Sequence, residues 1–288
     1  MTPSMTSSMT LNELFDLYTK DLNRRGAKTV KRIKQFYDND IRLALGDREI
    51  QDIIRGEIAT LHFNISERSP YTSNKCLSIL KAMFNLAITF SYIENNPAFN
   101  IGKNREIKRK RYLTNEELIA ITEQLDRLGH KARYKQGCNF LWMLIYTGAR
   151  VGEIRNARWS DIKGNALIIK DHKTDHSGDD RIIFITPGVQ KILDKCERVG
   201  ERIFNMDSPR YVWDVIRKEV GCEDARLHDI RHSYASWSLE KVNLSEVGNL
   251  LGHSDVATTQ RYAHIHKEKA IGNANVVSQH INSIVSNR

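Results

Sequence analysis

The sequence has few cysteines and prolines for its length, and it has no long apolar run. Only four of its 288 residues are cysteine and five are proline. The cysteines are scattered through the chain without a C-x-x-C pair, at positions Cys76, Cys138, Cys196 and Cys222. This spacing argues against a disulfide framework and favours thiols that pack in a reducing compartment. No apolar stretch approaches the length of a membrane span, so we expect no membrane partner.

The first ten residues, MTPSMTSSMT, lack the cationic and apolar regions of a secretory signal. We expect residues 1–10 to form a flexible lead, with Met5 and Met9 as alternative starts, and we expect a cytoplasmic location. Basic residues outnumber acidic residues, with 44 Lys and Arg and 35 Asp and Glu, so the net charge is +9. Such an excess is typical of proteins with a polyanionic partner, and it favours nucleic acid over an anionic membrane.

Residues 11–102 show apolar side chains at helical spacing, separated by glycine and proline breaks. The pattern predicts a compact all-α bundle with helices over 11–25, 29–45, 57–64 and 71–92. Pro70 is well placed as the first residue of a helix, since the backbone N–H at that position has no partner within the helix and proline lacks it.

A basic segment, KNREIKRKR, follows at 103–111, with six basic residues and one acidic residue. One interpretation is a solvated linker between domains. The other is a linker that crosses a phosphate backbone and contacts it through Lys108, Arg109, Lys110 and Arg111.

Residues 112–288 predict a second domain that mixes helices with a small β-sheet. Thr114 and Glu117 form a capping box at the start of a helix that reaches about residue 128. Another helix is predicted over 136–147, β-strands over 166–170 and 181–185, and further helices over 187–196 and 210–220. The fold class is therefore mainly α with a small β-sheet (α+β).

The stretch LHDIRHSYASWSLEKVNLSEVGNLLGHSDVATTQRYAHI, at 227–265, gathers basic and hydroxyl side chains between helical segments. A helix is expected to end at Gly252, which puts His253 just past a helix terminus. An apolar core does not explain this collection of histidines, an arginine and a tyrosine, whereas a site for an anionic oxygen does.

HDIRH, LLGHSD and TTQRY resemble the C-terminal signature of the tyrosine recombinases, the phage integrase family. The upstream TGARVGEI and the strand-loop-strand segment IIKDHKTDHSGDDRIIFI match the remaining parts of that pattern. The resemblance implies an N-terminal helical core-binding domain (11–102), the basic linker and a C-terminal catalytic domain (112–288). It also implies these site residues: Arg150 and Arg231 on the scissile phosphate, Lys173 as general acid, His228 as base, His253 as donor, Tyr262 as nucleophile, and Glu153 as an orienting partner of Arg150.

Three alternatives for individual residues stay open. Lys170 competes with Lys173 for the role of general acid, although it stands at the end of a predicted strand. His232, beside Arg231, is interpreted as structural. His172, His176, Asp179 and Asp180 do not have the spacing of a compact ligand set, so no metal and no other cofactor is expected.

By this resemblance the chain is a site-specific DNA recombinase that cleaves and rejoins strands through a 3′-phosphotyrosyl link, as type IB topoisomerases do. The expected role is integration and excision of a mobile element by a bacterial or phage-encoded protein. Alternatives are a resolvase or invertase of the Xer or shufflon kind, a DNA-binding protein without catalysis, and a monomer that relaxes supercoils. The expected partners are a double-stranded recombination site, three further copies in a homo-tetramer, and accessory bending or directionality factors. An apolar stripe of Val277, Ile281 and Ile284 in the tail, 270–288, predicts exchange between protomers.

Overall fold

The computed structural model describes residues 9–106, 111–170, 180–206 and 208–252. Its contacts divide the chain into two compact units, residues 1–109 and 110–288. The division falls within the predicted basic linker. Each unit has its own hydrophobic core. Among the described residues, no helix combines the length and the apolar character needed to cross a membrane.

The first unit is all helical. Its elements are α1 (Leu11–Arg24), α2 (Val30–Phe36), a π-helical turn (Tyr37–Ile41), α3 (Arg42–Leu45), α4 (Arg55–Arg68) and α5 (Pro70–Thr89). Thr10 and Glu13 cap the start of α1 reciprocally, and Pro70 occupies the first turn of α5. The predicted bundle is thus present in this unit.

The predicted helix over 29–45 is interrupted by the π turn. The wider turn allows Tyr37 and Ile41 both to be fully buried. Tyr37 stacks on Phe15 at 3.6 Å between ring centroids, and its hydroxyl donates to Asn12 at 3.0 Å. Periodicity alone could not indicate the interruption, because the apolar spacing fits an α-helix equally well.

Two residues near the start of the basic segment, Asn104 and Glu106, form hydrogen bonds with α5. Asn74 of α5 donates to the carbonyl of Asn104 at 2.9 Å and to the carboxylate of Glu106 at 2.7 Å. Asn104 in turn donates to Ser73 at 3.1 Å. Residues 104–106 are thus held by buried polar groups of α5, which require hydrogen bonds. The linker over 103–111 stays a prediction.

The second unit packs helices around a three-stranded antiparallel sheet of order β1-β2-β3. Its helices are α6 (Asn115–Gly129), α7 (Ala132–Thr147), α8 (Val151–Asn156), α9 (Pro187–Asp194), α10 (Arg210–Glu219), α11 (Leu227–Ser238) and α12 (Leu244–Leu251), with a 3₁₀ turn at Trp159–Asp161. The strands are β1 (Ile162–Lys163), β2 (Ala166–Ile169) and β3 (Arg181–Phe184). The fold class is as predicted, although β1 is too short for a periodic signal.

Cysteines pack in both cores. Cys76 is buried in the first unit, and Cys138 and Cys222 are buried in the second. Burial raises the pKa of Cys76 to about 12 and that of Cys138 to about 11. These thiols therefore stay protonated at neutral pH, as expected for packing residues.

Candidate active site

The C-terminal end of α7 positions the first candidate, Arg150. Gly148 ends the helix in the left-handed region, with φ of +58°, and a Cβ there would lie 2.4 Å from Cδ1 of Tyr234. Only glycine satisfies both conditions, since other residues are strained at positive φ and carry a Cβ. The chain then turns sharply, and Arg150 becomes the residue before the first turn of α8.

Glu153 fixes both the backbone and the side chain of Arg150. Its Oε2 accepts the backbone N–H of Arg150 at 2.9 Å, and its Oε1 accepts Nη1 of Arg150 at 2.7 Å. Glu153 is only 5% exposed, whereas the guanidinium of Arg150 remains partly accessible. The buried carboxylate thus binds both the backbone and the side chain of Arg150, whose side chain is 21% exposed. An orienting role for Glu153 stays a prediction.

Arg231, on α11, is 4% exposed and joins the ends of two other helices. Its Nη1 donates to the carbonyl of Gly148 at 2.7 Å, and its Nη2 donates to the carbonyl of Leu251 at 2.8 Å. Helix C-termini leave carbonyls without intrahelical partners, and a buried guanidinium satisfies two of them here. Arg231 therefore binds the chain two residues before Arg150, although the two arginines are far apart in sequence.

The first turn of α11 also carries His228, which is exposed at three residues from Arg231. Residues at this spacing share a helix face, so His228 lies one turn before Arg231 on α11. His228 lies edge-on to His232 at 4.7 Å between ring centroids, and His232 packs similarly against Tyr112 at 6.3 Å. These ring contacts agree with the structural interpretation of His232.

A third arginine, Arg181, was missed by the sequence reasoning. It opens β3 and is 3% exposed. Its Nη2 donates to the carbonyl of Leu250 at 2.7 Å, and its Nε lies 3.8 Å from Oε2 of Glu153, an ion pair longer than a hydrogen bond. Burial lowers the pKa of Arg181; Glu153 opposes this shift, and Arg150 adds to it. The available signal was strand alternation, which turns Arg181 inward together with Ile183.

Other predicted residues lie outside the described part of the chain: Lys173, His253, Tyr262, Lys108, Arg109 and Lys110, together with His172, His176, Asp179 and the tail at 270–288. Their neighbours in sequence are described. Lys170 is exposed directly after β2, and Arg181 pairs with Ile169 at the last rung before residues 171–179. Gly252 ends α12 with φ of +63°, as predicted, immediately before His253.

Arg111 is engaged within the second unit. Its Nε donates to Asp224 at 2.8 Å, and its Nη atoms donate to both oxygens of Glu117, to Asp224 again and to the carbonyl of Tyr112. A guanidinium has five N–H groups, and these five bonds use all of them. We therefore leave Arg111 out of the phosphate contacts expected of the basic segment, because it anchors the start of α6 instead.

The sequence profile of the phage integrase family matches residues 111–269, more than half of the chain. The tyrosine recombinase of Thermosipho africanus is 26% identical over 276 residues, which covers 88% of this chain and 94% of that protein. The IntQ protein of Escherichia coli strain K12, which is named as defective, is 28% identical over 238 residues and covers 65% of this chain. The alignment spans 58% of IntQ, less than two thirds of its length.

Solved structures share the fold. A lambda integrase dimer bound to a COC′ core site superposes with a TM-score of 0.73 at 23% identity, covering 89% of this chain and 78% of that one. A lambda integrase tetramer bound to a Holliday junction gives a TM-score of 0.71 at 24% identity, covering 86% and 78%. The profile match over residues 111–269 shows that the chain belongs to the phage integrase family of tyrosine recombinases, the enzymes that cleave and rejoin DNA in site-specific recombination.

Proposed function

We propose that this chain cleaves and rejoins DNA at a specific site through a covalent link on Tyr262, and that it integrates and excises a mobile element. One observation carries the proposal. Arg231, 81 positions after Arg150 in the sequence, donates to the carbonyl of Gly148, two residues before Arg150, at the turn that follows α7. Glu153 orients Arg150 at this turn, and the carbonyls of Gly148 and Leu251 hold Arg231.

The two guanidinium groups suit the non-bridging oxygens of one scissile phosphate. A guanidinium group stays charged at any working pH and offers paired donors that match phosphate geometry. Attack on the phosphorus gathers negative charge on those oxygens in a pentacoordinate transition state. Donors fixed before the reaction stabilise that charge without reorganisation, which often makes electrostatic stabilisation the largest single contribution to catalysis.

The remaining steps follow the family pattern. The hydroxyl oxygen of Tyr262 bonds to the phosphorus while His228 takes its proton, because a phenol with a pKa near 10 is otherwise mostly unreactive at neutral pH. The bond to the 5′ oxygen breaks, and Lys173 gives that oxygen a proton. His253 donates to a non-bridging oxygen. The 3′-phosphotyrosyl link conserves the energy of the broken phosphodiester bond. A 5′ hydroxyl can therefore attack this link and reverse the steps without a nucleotide cofactor.

Double-stranded DNA is the proposed partner of both units. The net charge of +9 supports it, as does the basic stretch of Lys108, Arg109 and Lys110. A relative of the same fold, lambda integrase, has been solved as a tetramer on a Holliday junction. We propose a homo-tetramer on DNA for this chain too, with the tail at 270–288 exchanged between protomers and with accessory factors that set direction.

The clamp is tested by separating DNA cleavage from DNA binding. Arg150→Ala and Arg231→Ala should each slow single-turnover cleavage of a nicked suicide substrate by about 10²–10³-fold, as loss of one preorganised donor does. Affinity for a single site should change far less, since many phosphate contacts remain. Arg231→Lys is included because Arg231 also satisfies two helix ends and its alanine variant loses stability as well.

Arg217→Ala is the matched control. Arg217 lies in the same unit and donates to the carbonyls of Glu223 and Ala225. It should leave the cleavage rate within about threefold of wild type, because carbonyl bonding away from the site is structural. If affinity and rate fall by the same factor in the Arg150 and Arg231 variants, the arginines are ordinary DNA contacts and the clamp is wrong.

A further inference from the structure

Arg181 is a third arginine beside the candidate site, and it contacts the end of α12 next to the carbonyl that binds Arg231. It is 3% exposed at the start of β3. Its Nη2 donates to the carbonyl of Leu250, directly beside the Leu251 carbonyl that binds Arg231. Two buried arginines, one from β3 and one from α11, therefore hold consecutive carbonyls at the end of α12.

The same side chain faces the carboxylate that orients Arg150. Glu153 Oε1 binds Nη1 of Arg150 at 2.7 Å, while Oε2 lies 3.8 Å from Nε of Arg181. That Nε is buried and has no hydrogen-bond partner among the described residues. Buried donors are normally satisfied, so an unsatisfied one within a short movement of a carboxylate indicates a second arrangement of the pair.

The space around Arg181 is closed on its other side. A Cβ at Gly252 would lie 2.4 Å from Cδ and 2.7 Å from Nε of Arg181, and glycine removes that obstacle. The guanidinium is therefore packed between the end of α12 and Glu153. Burial lowers its pKa, but the pKa of an arginine is so high that the charge persists at neutral pH.

We propose that Arg181 is a positioning residue for cleavage, which holds Glu153 in place when Arg150 turns to the scissile phosphate and which fixes the α12 end that supports Arg231. Without it, a buried carboxylate would lose compensation at the moment Arg150 engages DNA, and leaving a buried charge unpaired is costly. The inference rests on the proposed clamp of Arg150 and Arg231.

The test compares two suicide substrates, one with the natural scissile phosphate and one with a methylphosphonate at that position. A methylphosphonate is neutral, so its cleavage needs less positive charge on the non-bridging oxygens. Arg181→Met should cleave the phosphate about 10–100-fold more slowly, the scale of loss from misplacing a catalytic group. On the methylphosphonate that deficit should shrink several-fold, as should the deficit of Arg150→Ala. Single-site affinity should stay near wild type.

Arg217→Met is the control for lost carbonyl bonding, and any deficit it has should be equal on both substrates. An equal deficit of Arg181→Met on both substrates, with relief for Arg150→Ala, would overturn the inference and leave the clamp standing. Absence of relief for Arg150→Ala would overturn both. If Arg181→Met does not fold, Arg181→Lys decides: it keeps the charge beside Glu153, so a smaller deficit that shrinks on the methylphosphonate supports the inference, and a deficit equal on both overturns it.

Discussion

Gly148→Ala should destabilise the second unit far more than alanine at a comparable glycine does. Gly148 and Gly164 have nearly the same backbone φ, +58° and +56°. A Cβ at Gly164 meets no atom within 4 Å, whereas at Gly148 it would lie 2.4 Å from Tyr234 and 3.1 Å from Leu251. Gly164→Ala therefore measures the cost of positive φ alone, about 1 kcal/mol.

Gly148→Ala adds the overlap with Tyr234, and overpacking costs about 1–3 kcal/mol, so its total loss is about 2–4 kcal/mol. Urea unfolding followed by tryptophan fluorescence measures this directly, because all four tryptophans, at 142, 159, 213 and 237, lie in the second unit. Gly148→Ala should also slow cleavage more than Gly164→Ala, since Arg150 follows the turn and Arg231 binds its carbonyl. Equal losses of stability in the two variants would refute the close approach of Tyr234.

Two further predictions concern DNA and assembly. Neutralising Lys108, Arg109 and Lys110 together should reduce the slope of log affinity against log salt by up to about 3, one for each phosphate contact. Arg111→Gln should leave this slope unchanged and lower the stability of the protein, because Arg111 is bonded within the protein. An unchanged slope in the triple variant would indicate a solvated linker. Truncation after Lys269 should leave binding to one DNA site intact and abolish paired-site complexes. The reason is that three apolar side chains of the tail would contribute about 1.5–3 kcal/mol each when buried on a neighbouring protomer. If the truncated chain assembles paired-site complexes at the wild-type concentration, the tail packs within its own protomer.

Much of the fold could be predicted because its signals are local. The capping box of Thr114 and Glu117, the helix ends at Gly148 and Gly252, and the strands β2 and β3 appear where the sequence places them. Each of these features depends on residues within a few positions of one another, so composition and spacing suffice.

The features that escaped prediction depend on contacts between distant segments. The π turn at Tyr37–Ile41 packs against α1 through the stacked rings of Tyr37 and Phe15. Arg181 falls in a predicted strand, and the sequence does not show that its side chain lies beside Glu153 and Leu250. Arg111 looked like the last residue of a basic run, yet Asp224, 113 positions away, takes two of its donors. Charge in a sequence does not reveal whether a partner lies across the fold.

The central claim is that Tyr262 becomes joined to the 3′ phosphate of cleaved DNA, and trapping that link tests it most directly. Wild-type protein incubated with a nicked suicide substrate should give a protein–DNA band on a denaturing gel, and digestion of the band should recover the nucleotide on the peptide that contains Tyr262. Tyr262→Phe should bind the same site with near wild-type affinity and give no such band, because it lacks only the attacking oxygen. A covalent band retained by Tyr262→Phe, or a nucleotide found on another residue, would contradict the account.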